Sequence, residues 1–234
     1  MNLLAFDTST EFLSIAIARD AEVYRFDTLA GQSHSQLILP EIKKLLAHAG
    51  LQLNDLDGLI FGAGPGSFTG VRIAAGVAQG LAFGAQLPVL GVCTLMALAQ
   101  ASGANKVLAC LDARMGEVYF AAYMQQGHAW QAVHAPGLYK PDAVPAVEGD
   151  GWVGVGSGWQ AYGEILSACY ATQIASIQPQ QMPQASAMLQ LAHDGFANAN
   201  LTNDRALNAA DAMPIYIRNR VALKTAEREQ GQRL

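Results

Sequence analysis

Two short segments carry residue types that can do chemistry. The first is Asp7-Thr8-Ser9-Thr10, at the end of the apolar run Leu3 to Phe6. A carboxylate at a strand end can hold a magnesium ion, and the hydroxyls and backbone N–H groups behind it can cradle a phosphate. The same residues can instead hydrogen-bond a hairpin turn among themselves. The second is Gly62-Ala-Gly64-Pro-Gly66-Ser67-Phe-Thr69-Gly70, which joins a strand pattern (Leu56 to Phe61) to a helical one (Val71 to Phe83). Its amides face a helix N-terminus, where anions bind. Glycines there would equally serve a tight turn that needs positive φ. The segment is not a Walker A loop, since it has no Gly-Lys-Ser/Thr, and Thr69 stands where G-x-G-x-x-G requires a third glycine.

Elsewhere the reactive side chains are scattered. His34, His48, His128, His134 and His193 form no H-E-x-x-H motif and no Cys/His ligand spacing, so a zinc site is not expected. No G-x-S-x-G nucleophile elbow occurs. Cys93, Cys110 and Cys169 contain no C-x-x-C pair and are odd in number, the pattern of a reducing compartment.

Of 234 residues, 51% are apolar and only 14% charged, which implies a well-filled core and some apolar surface turned towards another protein. Fourteen basic against nineteen acidic side chains leave a net charge of -5. Affinity for nucleic acid rests on neutralised phosphates, so any role on RNA is expected to be shared with a partner. The N-terminus has no basic region and Asp7 interrupts its apolar run, so no signal peptide is read there. Residues 73–105 lack charge, but Gly84 and Pro88 break the run into a buried helix and a buried strand. A cytoplasmic protein with no membrane association is expected.

The elements that must position the two segments follow from periodicity. Leu13 to Ala18 and Glu22 to Phe26 continue a meander from the first strand. Leu37, Ile38, Ile42, Leu45, Leu46 and Ala49 recur at helical spacing and stop at Gly50, with Pro40 acceptable only near the first turn. Strand Val89 to Val92 and a helix over Thr94 to Ala101 complete the order β-β-β-α-β-α-β-α, a mixed α/β sheet. The plan then restarts, because Val107 to Leu111 ends in Asp112, 105 residues after Asp7, and an alternating strand (Glu117 to Tyr123) follows. Domains at 1–104 and 105–224 with a frayed tail at 225–234 are expected. After Gln125 the repeat reads as degenerate: a loop from Ala135 to Gly149, a strand Trp152 to Val155, and helices Gln160 to Tyr170 and Ala185 to Ala197. On the helix after the glycine loop, Gly76, Gly80 and Gly84 lie four apart on one face, with Arg72 a turn earlier. That stripe suits either the close approach of another backbone or tight packing on the helix's own sheet.

Leu4-Ala-Phe-Asp-Thr-Ser-Thr10, Ser33-His-Ser35, Gly64-Pro-Gly-Ser-Phe-Thr-Gly-Val-Arg-Ile73, Asp112-Ala-Arg-Met-Gly-Glu-Val-Tyr119 and Pro214-Ile-Tyr-Ile-Arg218 together resemble the TsaB (YeaZ) family of tRNA threonylcarbamoyladenosine biosynthesis proteins. The resemblance implies a duplicated actin/hexokinase/Hsp70-like, ribonuclease H-like fold. It implies a non-catalytic role in forming N6-threonylcarbamoyladenosine at position 37 of tRNA. The partners would be the catalytic TsaD paralogue, the TsaE ATPase and a second copy as homodimer, with tRNA met only through the complex. The paralogue's metal-binding H-x-x-x-H falls here on Thr94 and Leu98, neither of which replaces imidazole. No resident cofactor is expected, although ATP or ADP with magnesium at the subunit interface stays open, with Asp7, Thr8, Ser9, Thr10, Gly64, Gly66, Ser67 and Asp112 as the phosphate-binding set. Partner contact is expected on helices 36–49 and 71–83 through Leu37, Arg72, Gly76, Gln79, Gly80 and Phe83. The alternatives are a stand-alone ATPase or small-molecule kinase using Asp7 and Asp112 across a cleft and, more weakly, a glycoprotease-like peptidase.

Overall fold

The computed structural model describes residues 1–127, 129–197 and 208–218. Strands β1 (Asn2–Asp7), β2 (Phe12–Arg19) and β3 (Glu22–Leu29) form the expected meander. Then come α1 (His34–His48), β4 (Gly58–Gly64), α2 (Phe68–Ala85), β5 (Val89–Cys93) and α3 (Thr94–Ala101). The second half runs β6 (Lys106–Arg114), β7 (Glu117–Gln126), β8 (Ala129–Tyr139), β9 (Trp152–Val155), α4 (Ser157–Cys169), β10 (Ile174–Gln178) and α5 (Ala185–Ala197).

The strands make two five-stranded sheets, ordered β3-β2-β1-β4-β5 and β8-β7-β6-β9-β10. The orders are the same once β6 is aligned with β1. In each sheet the meander is antiparallel, and the first strand pairs in parallel with the fourth. The second half therefore repeats the strand order in full but not the helices: α1 stands between β3 and β4, whereas residues 140–151, between β8 and β9, form no helix. β8 occupies most of the residues assigned to the start of a loop, and β10 fills the fifth place.

Alternation decides which face each strand offers. Leu4, Phe6, Leu13, Ile15 and Ile17 point towards α1 and α2, where they bury Ile38, Ile42, Ala74 and Ala78. Leu3, Ala5, Ala16 and Ile60 point the other way, onto Ala185, Met188 and Ala192 of α5. In the second sheet Leu108, Cys110 and Phe120 meet Trp159 and Leu166 of α4, while Val107, Ala109 and Leu111 meet Leu95 and Leu98 of α3. Each half thus sends its last helix to the other half's sheet. The layers run α1/α2, first sheet, α5 with α3, second sheet, α4.

One local expectation is corrected. Pro40 lies inside α1, not in its first turn. It cannot donate to the Gln36 carbonyl, but both residues are exposed, so water can satisfy that carbonyl.

Candidate functional site

Because β1 and β4 are parallel neighbours, with Phe6 beside Phe61, both reactive segments leave the sheet at the same edge. They lie against each other, and the glycines make that approach possible. A Cβ on Gly62 would strike the Asp7 carboxylate, one on Gly66 the Ser9 carbonyl, and one on Gly70 the Thr8 carbonyl. Of the four loop glycines only Gly64, at φ +99°, requires glycine for its backbone conformation. Hydrogen bonds then stitch the segments together. Thr8 Oγ1 donates to the Gly70 carbonyl at 2.7 Å, the Ser67 amide donates to the Ser9 carbonyl at 2.6 Å, and Ser67 Oγ caps α2 by accepting from the Gly70 amide at 3.3 Å.

This arrangement seals Asp7. Its Oδ1 accepts from the Ser9 amide (2.8 Å) and the Ser9 hydroxyl (2.7 Å). Among the described residues neither Oδ2 nor the buried hydroxyl of Thr94, which lies close to it, forms a well-aligned hydrogen bond. Burial raises the carboxyl pKa from 3.8 to about 6, against the opposing pull of the Ser9 hydrogen bonds and of Thr94. Thr8 is fully buried as well.

Above this floor a cleft of about 910 Å³ opens between the halves. Ser9, Thr10, Gly66 and Ser67 line its first wall, and Asp112, Arg114, Ser157 and Gln160 line the second. Of the phosphate-binding set read from the sequence, Ser9, Thr10, Gly66, Ser67 and Asp112 face the cleft. Asp7, Thr8 and Gly64 do not. A magnesium ion reached from the cleft therefore does not fit Asp7, whose free oxygen sits over Gly62 and beside Thr94. Asp112, in the matching position of β6, is placed differently: its carboxylate accepts from the Arg114 amide at 2.8 Å and the Arg114 guanidinium at 3.0 Å. Thr94 and Leu98 are both fully buried.

The outer face of α2 carries the other predicted residues. Among the described residues no atom outside the helix's own backbone lies within 4 Å of where a Cβ would stand on Gly76, Gly80 or Gly84, and all three are exposed, so the glycine stripe faces outward and not onto its own sheet. Phe83 beside it is 81% exposed. Leu37 is half-buried against the core. Arg72 and Gln79 are engaged within the chain, Arg72 Nε donating to the Tyr216 hydroxyl and Gln79 Nε2 to the Ala212 carbonyl, each at 2.9 Å. Sequence reasoning placed none of residues 212–218 at the site, although Ile215, Tyr216, Ile217 and Arg218 line the cleft. The alternating Pro214-Ile-Tyr-Ile-Arg218 pattern was the available signal.

A twofold repeat of the 3-2-1-4-5 mixed sheet, with a cleft where the first strands of both halves end, defines an actin/hexokinase/Hsp70-like protein. Residues 27–225 match the family model described as TsaD, tRNA N6-adenosine threonylcarbamoyltransferase. The tRNA threonylcarbamoyladenosine biosynthesis protein TsaB of Escherichia coli strain K12 is 40% identical over 96% of this chain and 97% of its own length. YeaZ from Pseudomonas aeruginosa superposes with a TM-score of 0.83 at 37% identity, covering 92% of this chain and 99% of that one. A second Pseudomonas aeruginosa structure, described as an uncharacterized protein with similarity to peptidase YeaZ, gives 0.84 at 37% identity, covering 93% and 99%. The chain belongs to the TsaB (YeaZ) family, within the wider threonylcarbamoyltransferase family that the model represents.

Proposed function

We propose that this protein is a non-catalytic cytoplasmic subunit required to form N6-threonylcarbamoyladenosine at position 37 of tRNA. In this reading it pairs through α1 and α2 with a TsaD-type paralogue, or with a second copy of itself, and a TsaE-type ATPase joins the pair. The tRNA is met only through that complex, which suits a net charge of -5.

The observation that carries the reading is the bare face of α2. Glycine in a helix costs up to about 1 kcal/mol relative to alanine, and among the described residues Gly76 and Gly80 face open space. A neighbouring backbone seated along the stripe would use that space, and Phe83 would be buried with it. The sealing of Asp7 supports the non-catalytic part, since the carboxylate best placed for magnesium has no route to the cleft. ATP or ADP with magnesium, if part of the assembly, is proposed only against Ser9, Thr10, Gly66, Ser67 and Asp112.

The test is complementation. In cells depleted of this protein, the modified nucleoside in bulk tRNA is expected to vanish and to return with the wild-type chain. It is expected not to return with Gly80→Arg, which puts a long side chain on the open face without touching the core. Circular dichroism on the purified variant establishes folding. Normal levels of the nucleoside in depleted cells would end the proposal, and a folded Gly80→Arg protein that restores them would move the interface elsewhere.

A second reading, a stand-alone ATPase or small-molecule kinase, draws on the 910 Å³ cleft with Asp112 on its wall. The isolated chain is expected to turn over ATP negligibly in the presence of magnesium. Robust turnover that is lost in Asp112→Asn would favour this reading instead.

A further inference from the structure

After α5 the described chain returns to the mouth of the cleft and crosses it. Ala212 is buried in the core beneath α1 and α2, and Gln79 donates to its carbonyl at 2.9 Å. The Ile215 amide then donates to the Ala63 carbonyl at the end of β4, at 2.7 Å. Arg72 reaches up from α2, its guanidinium 3.4 Å above the centre of the Phe68 ring while its Nε donates to the Tyr216 hydroxyl. One residue further, Ile217 packs into the apolar cluster of the second half. Arg218 ends the crossing on the β6–β7 turn, donating to the Glu117 carboxylate at 2.6 Å and to the Arg114 carbonyl at 3.4 Å. Within seven residues the chain is fastened to both walls of the cleft.

Beneath the cleft the two halves meet through α3 and α5, which pack Ala97 against Ala185, Met188 and Ala192 and share one hydrogen bond, from Gln100 Nε2 to Gln190 Oε1 at 2.8 Å. Packed helices slide past one another by small amounts, and shear of this kind is a common way for two-lobed proteins to open. A segment tied to both walls at the mouth opposes that motion with the longest lever arm. We propose that residues 212–218 are a strap that fixes how far the cleft opens, with the Arg218–Glu117 pair as its principal fastening.

The ranking of the fastenings follows from their surroundings. The Arg72–Tyr216 hydrogen bond is exposed to water, which competes for both groups. Arg218 is only 12% exposed and Glu117 34%, and their contact is short and charge-assisted. Among the described residues Arg218 Nε is also buried without a partner, and the side chain is mostly covered, so the guanidinium has little access to water if the carboxylate is removed. The second-half end of the strap is thus where one substitution weakens it most. The proposal stands apart from the docking face on α2, because it concerns the isolated chain.

The experiment is a distance measurement by pulsed electron paramagnetic resonance between nitroxides on Gln32→Cys and Gln160→Cys, which flank the cleft. It is made in a Cys169→Ser background, since Cys169 is exposed. The native strap is expected to give one narrow distribution. Arg218→Ala and Glu117→Gln are each expected to shift it to longer distances and broaden it, and Tyr216→Phe to shift it less. Glu117→Gln keeps the side chain's shape and one acceptor oxygen, so it decides the matter if Arg218→Ala fails to fold. Folded Arg218→Ala and Glu117→Gln proteins with the native distribution would overturn the proposal. A larger shift for Tyr216→Phe than for either would overturn the ranking.

Discussion

The two halves share a strand order and a strand-end aspartate, yet they treat that aspartate in opposite ways. In the first half Asp7 is held by two donors from Ser9, and a glycine loop presses on its turn at three places. In the second, Asp112 stands on the cleft wall and pairs with Arg114, whose side chain is exposed. The outer faces differ as well. α1 and α2 cover the first sheet, whereas α4 and the irregular residues 140–151, through Val144, Val147 and the adjoining Trp152, cover the second. Topology alone therefore sets where a carboxylate sits along the chain. Whether that carboxylate can meet a ligand is set by residues more than fifty positions away.

The largest expected effect tests the seal directly. Gly70→Ala drives a Cβ onto the Thr8 carbonyl, a backbone atom that cannot swing aside. A loss of about 3 kcal/mol in urea-unfolding stability is expected, as for other overpacked cores. A Gly70→Ala protein as stable as wild type would mean the loop does not press on the Asp7 turn.

The second prediction compares the aspartates by pH. Asp7 holds its proton more tightly folded than unfolded, so its ionisation opposes folding. That cost is absent below pH 3.8, grows between 3.8 and about 6, and is complete above it. The gap corresponds to about 3 kcal/mol at most. An asparagine side chain in its place could keep the Ser9 bonds and donate to Thr94. Asp7→Asn is therefore expected to gain about 1–3 kcal/mol at about pH 8 and nothing at about pH 3.5. Asp112→Asn is expected to change stability by less than about 1 kcal/mol, because the Arg114 side chain it pairs with is exposed to water and asparagine can still accept from the Arg114 amide. Equal responses of the two variants across the pH range would erase the contrast between the halves.

The smallest effect is the sharpest control on glycine. Among the described residues Gly80→Ala meets nothing within 4 Å, so alanine's helix propensity should raise stability by about 0.5–1 kcal/mol. The same substitution is thus expected to change sign between positions 70 and 80 of one helix. A destabilised Gly80→Ala would mean that α2 is held against something within the monomer.

Much of this was legible in the sequence, for identifiable reasons. α3 and α5 span the residues at which the sequence placed helices, and β1, β2, β6 and β7 carry strong apolar runs. β8 and β10 were missed because both are edge strands whose residues are mostly exposed or half-buried, and β8 contains Pro136. The two reactive segments were found, but not the burial of Asp7. An aspartate at a strand end reads the same whether it faces a cleft or a glycine loop, and only the fold brings residues 62–70 over it. The alternation of Pro214 to Arg218 marks an extended segment but not its partners, because every tie it makes spans a long stretch of chain. The tail expected to fray from residue 225 lies outside the described residues.

The exchange of α3 and α5 between the sheets bears on how the molecule comes off the ribosome. When Ala101 has been synthesised, the first sheet has all five of its strands, but α3 covers only part of one face with Ala97, and α5, which covers the rest, starts at Ala185. At about 5–20 residues per second, that face waits on the order of 4–17 seconds for its cover. During that interval Leu3, Ala5, Ala16 and Ile60 are open to whatever else is nearby. Two sheets that look separable in the finished molecule are therefore tied in time.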